Sequence, residues 1–305
     1  MKNKGGNIVA SVRQRLVNLS MERGEDPNLV FIRYAIERFL YRLSRSKQSG
    51  KFILKGAMLW AIWTGKPHRP TKDLDLLGFG DASAEAMRAI FRDICNVGVE
   101  PDGMTFNADS IEIAEIREDL EYPGQRIKLE SRLGNARIMI QIDIGFGDSV
   151  IPAPVDIDYP TLLNMPSPHI KAYPIETVVA EKIETIISKG MLNSRMKDFY
   201  DLRVLAQEFG FDGNSLTEAI KSTFARRGTS IPNDPPAAFT EEFCENPDKQ
   251  VQWQAFLRNS KLDDTKITLP EVIRDIQRFL LSPLNAAAAG EPFLMRWPAG
   301  GTWKQ

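Results

Sequence analysis

The chain has 305 residues, 43% of them hydrophobic and 26% charged, which suits a globular protein and allows one large domain or two modest ones. Its 39 Lys and Arg against 40 Asp and Glu leave a net charge of -1, which excludes a basic surface over the whole molecule and restricts any nucleic acid to a local patch. Two histidines (His68, His169) exclude a histidine-rich metal centre or a histidine triad, and two cysteines (Cys95, Cys244) are too few for a disulfide framework and point to a reducing cytoplasm.

The N-terminal stretch through Ile8-Val9-Ala10-Ser11-Val12-Arg13 is too interrupted by charge to read as a secretion signal. No apolar run approaches the roughly 20 residues that cross a bilayer, so no membrane role is expected. Residues 7–23 and 27–46 carry apolar side chains at helical spacing, and Asp26-Pro27 supplies an N-cap and a first-turn proline for the second helix. Lys51–Lys55 reads as a short strand, Gly56 as a turn, and 57–63 as a helix packed upon it. A second strand follows, Asp73-Leu74-Asp75-Leu76-Leu77, and residues 84–95 form an amphipathic helix. Strands are expected at 104–106, 110–117, 126–133 and 136–144, the last two joined by a Gly134-Asn135 hairpin turn. Residues 145–173, with Pro152, Pro154, Pro160, Pro166 and Pro168, read as an irregular linker. Helices are then expected at 174–189, 196–209, 213–227, 248–260 and 268–281, followed by a loosely held tail after Leu284. The pattern is α+β: a mixed sheet with helices against it over 1–160, a helical domain over 161–284 and a tail over 285–305.

Asp73 and Asp75 carry the most chemical information. A strand sends residues i and i+2 to one face, so both carboxylates converge, and like charges at that separation call for a cation. A hard divalent ion with oxygen ligands, Mg²⁺ first and Mn²⁺ as a substitute, is the expected occupant. Asp143 stands alone among apolar residues in the 136–144 strand and offers a third carboxylate, which completes the acidic set that phosphoryl transfer uses. The Lys55-Gly56-Ala57 turn would present backbone N–H groups to a triphosphate. Arg69, Thr71 and Lys72 flank the acidic pair, with Thr71 two residues from Asp73 and so facing the same site on an extended chain. In the helical half, Lys182 borders the apolar stripe of its helix, either reaching a phosphate or pairing with a neighbouring glutamate. Asp198 and Asp201 share a helix face, as site residues or as partners of the helix dipole, and the spacing does not decide between these.

Four segments in this order resemble the AbiEii/AbiGii family of nucleotidyltransferase toxins, which includes the MenT toxins. They are Lys55-Gly56-Ala57 with Arg69 through Leu76, Gln141-Ile142-Asp143-Ile144, Tyr173 through Ile183, and Asn193 through Leu202. The resemblance implies a polymerase-β-like nucleotidyltransferase core and a helical C-terminal half that closes the cleft. It also implies Mg²⁺ and a nucleoside triphosphate as cofactor and substrate, transfer to an RNA 3′ end with tRNA as acceptor, and a cognate antitoxin. On this sequence Asp73, Asp75 and Asp143 become metal ligands, Lys182 the triphosphate lysine, and Asp198, possibly with Asp201, the acidic member of the last motif. Thr71 matches a position that a kinase-like antitoxin phosphorylates in some relatives. The sequence departs from the family at Ala57, where many members carry a serine hydroxyl. Arg195, Lys197, Arg226 and Arg227 form the basic set expected to meet RNA. Transfer to a protein hydroxyl and a non-catalytic nucleotide- or RNA-binding module are the alternatives.

Overall fold

Asp26 opens a helix in the way its position suggests: its carboxylate accepts the Asn28 N–H at 2.8 Å, and Pro27 occupies the first turn. The computed structural model, which describes residues 4–65, 71–116, 124–260 and 266–305, thus begins with α1 (Lys4–Arg23) and α2 (Pro27–Arg45). The chain divides into two compact units, Met1–Gly147 with Val155–Ala172, and Asp148–Pro154 with Tyr173–Gln305. The boundary expected after residue 160 therefore falls inside the first unit.

The first unit continues through β1 (Phe52–Lys55), α3 (Leu59–Thr64), β2 (Asp73–Gly78), α4 (Ala84–Cys95), β3 (Met104–Phe106) and β4 (Glu112–Ile116). It then adds β5 (Gly124–Leu133), β6 (Ala136–Phe146), β7 (Val155–Asp158) and β8 (His169–Ala172). The strands join in one sheet of order β3-β5-β6-β2-β1-β8-β7, with β4 pairing β5 beside β3. The β2–β6 and β1–β8 pairings are parallel and the others antiparallel, so the sheet is mixed as expected. Alternation fixes what each face does: Leu74 and Leu76 of β2, Ile140, Ile142 and Ile144 of β6, and Ile127 and Leu129 of β5 are all buried. Helix α2 packs against β6 and β8 and closes that core.

Strands β7 and β8 lie where the prolines suggested a linker. The prolines flank these four-residue strands rather than interrupt them. Ile170 and Ala172 point inward while His169 and Lys171 remain exposed, an alternation too short to read in advance. The β5–β6 turn is the expected Gly134-Asn135, and only Gly134 (φ 60°) uses the left-handed region.

The second unit contains α5 (Ile175–Lys189), α6 (Met196–Glu208), β9 (Phe211–Asp212), α7 (Gly213–Arg226), α8 (Glu241–Glu245), α9 (Pro247–Ser260), α10 (Leu269–Ala289) and β10 (Arg296–Trp297). Thr268 and Glu271 cap α10 reciprocally. The helix runs through Pro283 to Gly290, because the alanines beyond the proline favour helix strongly. The tail is correspondingly well held. Trp297 is buried, its indole N–H donates to the Ala206 carbonyl at 2.7 Å, and β10 pairs with β9. Trp303 donates to the Phe279 carbonyl at 2.8 Å and stacks on that ring. Ala, Gly and Pro dominate the composition there, but the two indoles bury enough apolar surface to decide the outcome.

Helix α2 buries charge as well as apolar surface. Arg42 forms a two-pronged pair with Asp102 at 2.7 and 3.1 Å. Glu37 accepts the Leu162 N–H at 2.7 Å beside Arg38. Burial pushes the Glu37 carboxyl up to about 7, against the pull of Arg38 and of the Leu162 N–H. A raised carboxyl favours the fold in its protonated form, so its contribution is whole below about 4.5 and gone as pH rises through about 7. Thermal unfolding of Glu37→Gln against wild type should therefore show a gap that shifts in the variant's favour across that window. A gap independent of pH contradicts this account.

Candidate functional site

Strand β2 places Asp73 and Asp75 on one face by their two-residue spacing, with Leu74 and Leu76 in the core behind them. Parallel pairing with β6 then sets Asp75 beside Asp143 and Asp73 beside Gln141. On the other flank β1 brings Lys55 beside Asp75, and beyond β6 the antiparallel β5 brings Arg126 beside Asp143 and Lys128 beside Gln141. One row across four strands thus reads Lys55, Asp75, Asp143, Arg126: two carboxylates on adjacent strands, about 4.8 Å apart in backbone spacing, bracketed by cations. All three aspartates are half-buried.

The turn after β1 is shaped to this row. Gly56 has φ 74°, and a Cβ placed on it would lie 2.0 Å from Asp75 Oδ2. The Asp75 carboxylate therefore rests directly against the Gly56 backbone, and any side chain at 56 would displace it. Ala57 is buried in the turn that follows, which packs against β2. The Thr71 hydroxyl donates to the Asp73 carbonyl at 3.3 Å, and Lys72 is exposed. Arg69 lies outside the described residues.

The Asp143 carboxylate is gripped at both oxygens: Arg126 Nε donates to Oδ1 at 2.8 Å and its terminal NH2 to Oδ2 at 2.7 Å. Gln141 reaches Oδ2 at 3.4 Å. Among the described residues no three acidic, histidine or cysteine side chains are close enough to cage an ion. The carboxylates share a face and a register without forming a ready-made cage. Arg126 and Gln141 were not expected as site residues, although a signal existed. A two-residue turn pairs Leu133 with Ala136, and counting outward from there puts 126 opposite 143.

In the second unit, Lys182 of α5 donates to Asp198 Oδ1 at 2.8 Å and to Asp201 Oδ2 at 2.7 Å, both on α6. Arg195 Nε donates to Asp198 Oδ2 at 2.8 Å. Both aspartates are buried. Burial alone would push the Asp198 carboxyl up, but Lys182 and Arg195 outweigh it and hold it well below the ordinary carboxylate range. The aspartates do share a helix face, and Lys182 bridges them as a clasp between α5 and α6. Lys197 is half-buried and Arg226 exposed. Arg227, expected among RNA contacts, is turned instead onto Glu184 at 2.7 Å, Asp148 at 3.3 Å and Glu181 at 3.6 Å. Its side chain is 12% exposed. Burial lowers its pKa, but the three carboxylates raise it further, leaving it above that of an ordinary arginine. Its charge is committed inside this unit.

Removing Lys182 tests the clasp. In Lys182→Ala, Arg195 still meets Asp198 but the buried pair loses its shared cation, and the expected cost is about 3–5 kcal/mol of unfolding free energy near neutral pH. A depressed carboxyl contributes stability above its unfolded pKa and loses it as pH falls, so the gap to wild type should close toward pH 3.8 and below. Urea unfolding at several pH values measures this, and a variant as stable as wild type at pH 7 contradicts it.

Comparison with known proteins adds a family. Residues 38–280 match the family described as nucleotidyl transferase AbiEii toxin, type IV TA system. Two Helicobacter pylori crystal structures are similar to the chain. JHP933 shares 14% identity, covering 83% of this chain and 90% of its own, with a TM-score of 0.46. The second shares 15% identity over 83% of this chain and 93% of its own, with a TM-score of 0.45. No match is found among curated proteins.

Proposed function

The chain belongs to the AbiEii family of nucleotidyltransferase toxins of type IV toxin–antitoxin systems, and from that premise we propose that it transfers a nucleoside monophosphate from a nucleoside triphosphate to the 3′ end of an RNA, with tRNA as the acceptor. The observation that carries this reading is the register of β2 against β6, which aligns Asp75 with Asp143 and puts Asp73 on the same face.

The donor set fits a divalent cation of the hard kind. Among the described residues of the row, the groups able to ligate a metal are carboxylate and amide oxygens, with no histidine or cysteine. Asp73, Asp75 and Asp143 would hold Mg²⁺, or Mn²⁺ in its place. When bound, such an ion neutralises the triphosphate and polarises the phosphorus under attack. The chain's own groups do the rest. Asp143 orients the attacking 3′ hydroxyl and receives its proton. Lys55 and Lys72, with the Gly56-Ala57 backbone, meet the triphosphate, whose α–β bond breaks as pyrophosphate leaves.

Lys182 serves here as a positioning residue: its ammonium orders Asp198 and Asp201, and a phosphate contact would have to share it with them. Exposed or half-exposed Arg195, Lys197 and Arg226 are the local basic groups for RNA on a chain of net charge -1. A type IV system implies a cognate antitoxin. A phosphate on Thr71 would set negative charge two residues from Asp73 and oppose the incoming triphosphate. No helix among the described residues is long and apolar enough to cross a membrane.

The test is incubation of the purified protein with Mg²⁺, each labelled nucleoside triphosphate in turn, total tRNA and a protein fraction. Label should appear at RNA 3′ ends, and Asp75→Asn should lower it by at least roughly a hundredfold with the unfolding temperature retained. Label confined to the protein fraction, or full activity in Asp75→Asn, overturns the reading.

A further inference from the structure

Arg126 stands in the row of Asp75 and Asp143, and the proposed reaction gives it no task. Its two-pronged grip takes both oxygens of Asp143, at 2.8 and 2.7 Å. Such a fork matches a carboxylate in plane and spacing, and its charge is fixed at any physiological pH. A purely structural purpose is poorly supported. Strands β5 and β6 already pair over nine consecutive positions, from Gln125–Ile144 to Leu133–Ala136, so the ladder needs no further fastening. The pair is also partly open to water, with side-chain exposures of 41% for Arg126 and 19% for Asp143, where an ion pair adds little stability.

Its placement has a different consequence. Three half-buried aspartates on adjacent positions repel one another when no metal is bound, and one of them needs a counter-ion. Arg126 supplies it to the member farthest across the sheet from β1. With both oxygens of Asp143 accepting from Arg126, a cation approaching Asp73 and Asp75 has to compete with the guanidinium for the third carboxylate.

We propose that Arg126 is a resident counter-ion of the acidic site: it holds Asp143 in the ion-free protein, competes with the divalent cation for that carboxylate, and releases it when the cation binds. Arg126 is thus a positioning residue that acts through Asp143. This inference rests on the proposed metal role of Asp73, Asp75 and Asp143, and its test is arranged so that the two can fail separately.

The full chain is titrated with Mn²⁺ and followed by electron paramagnetic resonance, without substrate. Arg126→Gln keeps a hydrogen-bonding side chain and removes the charge, and should tighten Mn²⁺ binding by roughly two- to fivefold, the value of one partly screened competing ion pair. Arg126→Lys, with charge but no fork, should fall between the two. In an Asp143→Asn background, Arg126→Gln should bring no gain, since the contested carboxylate is gone. An affinity unchanged or weakened in both Arg126 variants overturns the proposal. The Asp73→Asn control separates the readings. If that variant abolishes Mn²⁺ binding while the Arg126 variants are flat, the metal site stands and only the counter-ion role falls. If Asp73→Asn binds as wild type does, both fall.

Discussion

The parallel pairing of β2 with β6 is the constraint on which the first unit's chemistry depends. Side chains alternate with a period of two along each strand, so aligning Asp75 with Asp143 necessarily aligns Leu76 with Ile144 on the opposite face. A slip of one residue would send Asp73 and Asp75 into the apolar core and expose Leu74 and Leu76. The same leucines that bury the strand thereby hold the carboxylates at the surface in register. Hydrophobic patterning and chemical placement are one decision in this sheet.

Charge is handled differently in the two units. In the first, the carboxylates of β2 and β6 lie half-exposed between cations, with Gly56 backbone pressed against Asp75, an arrangement open to exchange. In the second, Lys182 and Arg195 with Asp198 and Asp201, and Arg227 with Glu184, Glu181 and Asp148, are closed clusters of opposite charge. Closed clusters of this kind are costly to open, because each lost partner strands a buried charge. They keep α5, α6 and α7 in fixed relation within their unit and leave the exposed Arg226 and half-exposed Lys197 at its surface.

Much of this was legible in advance where local chemistry agreed with burial. The Asp26-Pro27 helix start, the Gly134-Asn135 hairpin, the DxD strand and the isolated Asp143 each carried their own signal in a few neighbouring residues. What was missed depended on partners far along the chain. The Ile170 and Ala172 alternation in β8 is too short to rise above five surrounding prolines. Trp297 and Trp303 find Ala206 and Phe279 from a segment whose composition suggested slack. Arg227 looked like half of an exposed basic pair, yet its partners lie as far away as Asp148. Arg126 was accessible through hairpin register alone, but charge-by-charge inspection of the sequence does not weigh a residue by what stands across from it.

The central claim is that Asp73, Asp75 and Asp143 serve one divalent cation. A crystal of the protein soaked with Mn²⁺ and a non-hydrolysable nucleoside triphosphate, measured at the manganese absorption edge, tests it most directly. The account predicts an anomalous peak on the β2–β6 face in direct contact with Asp73 and Asp75, with Asp143 turned from Arg126 toward it. A peak elsewhere with the nucleotide bound, or an Asp143 still paired to Arg126 beside a fully ligated ion, would contradict it.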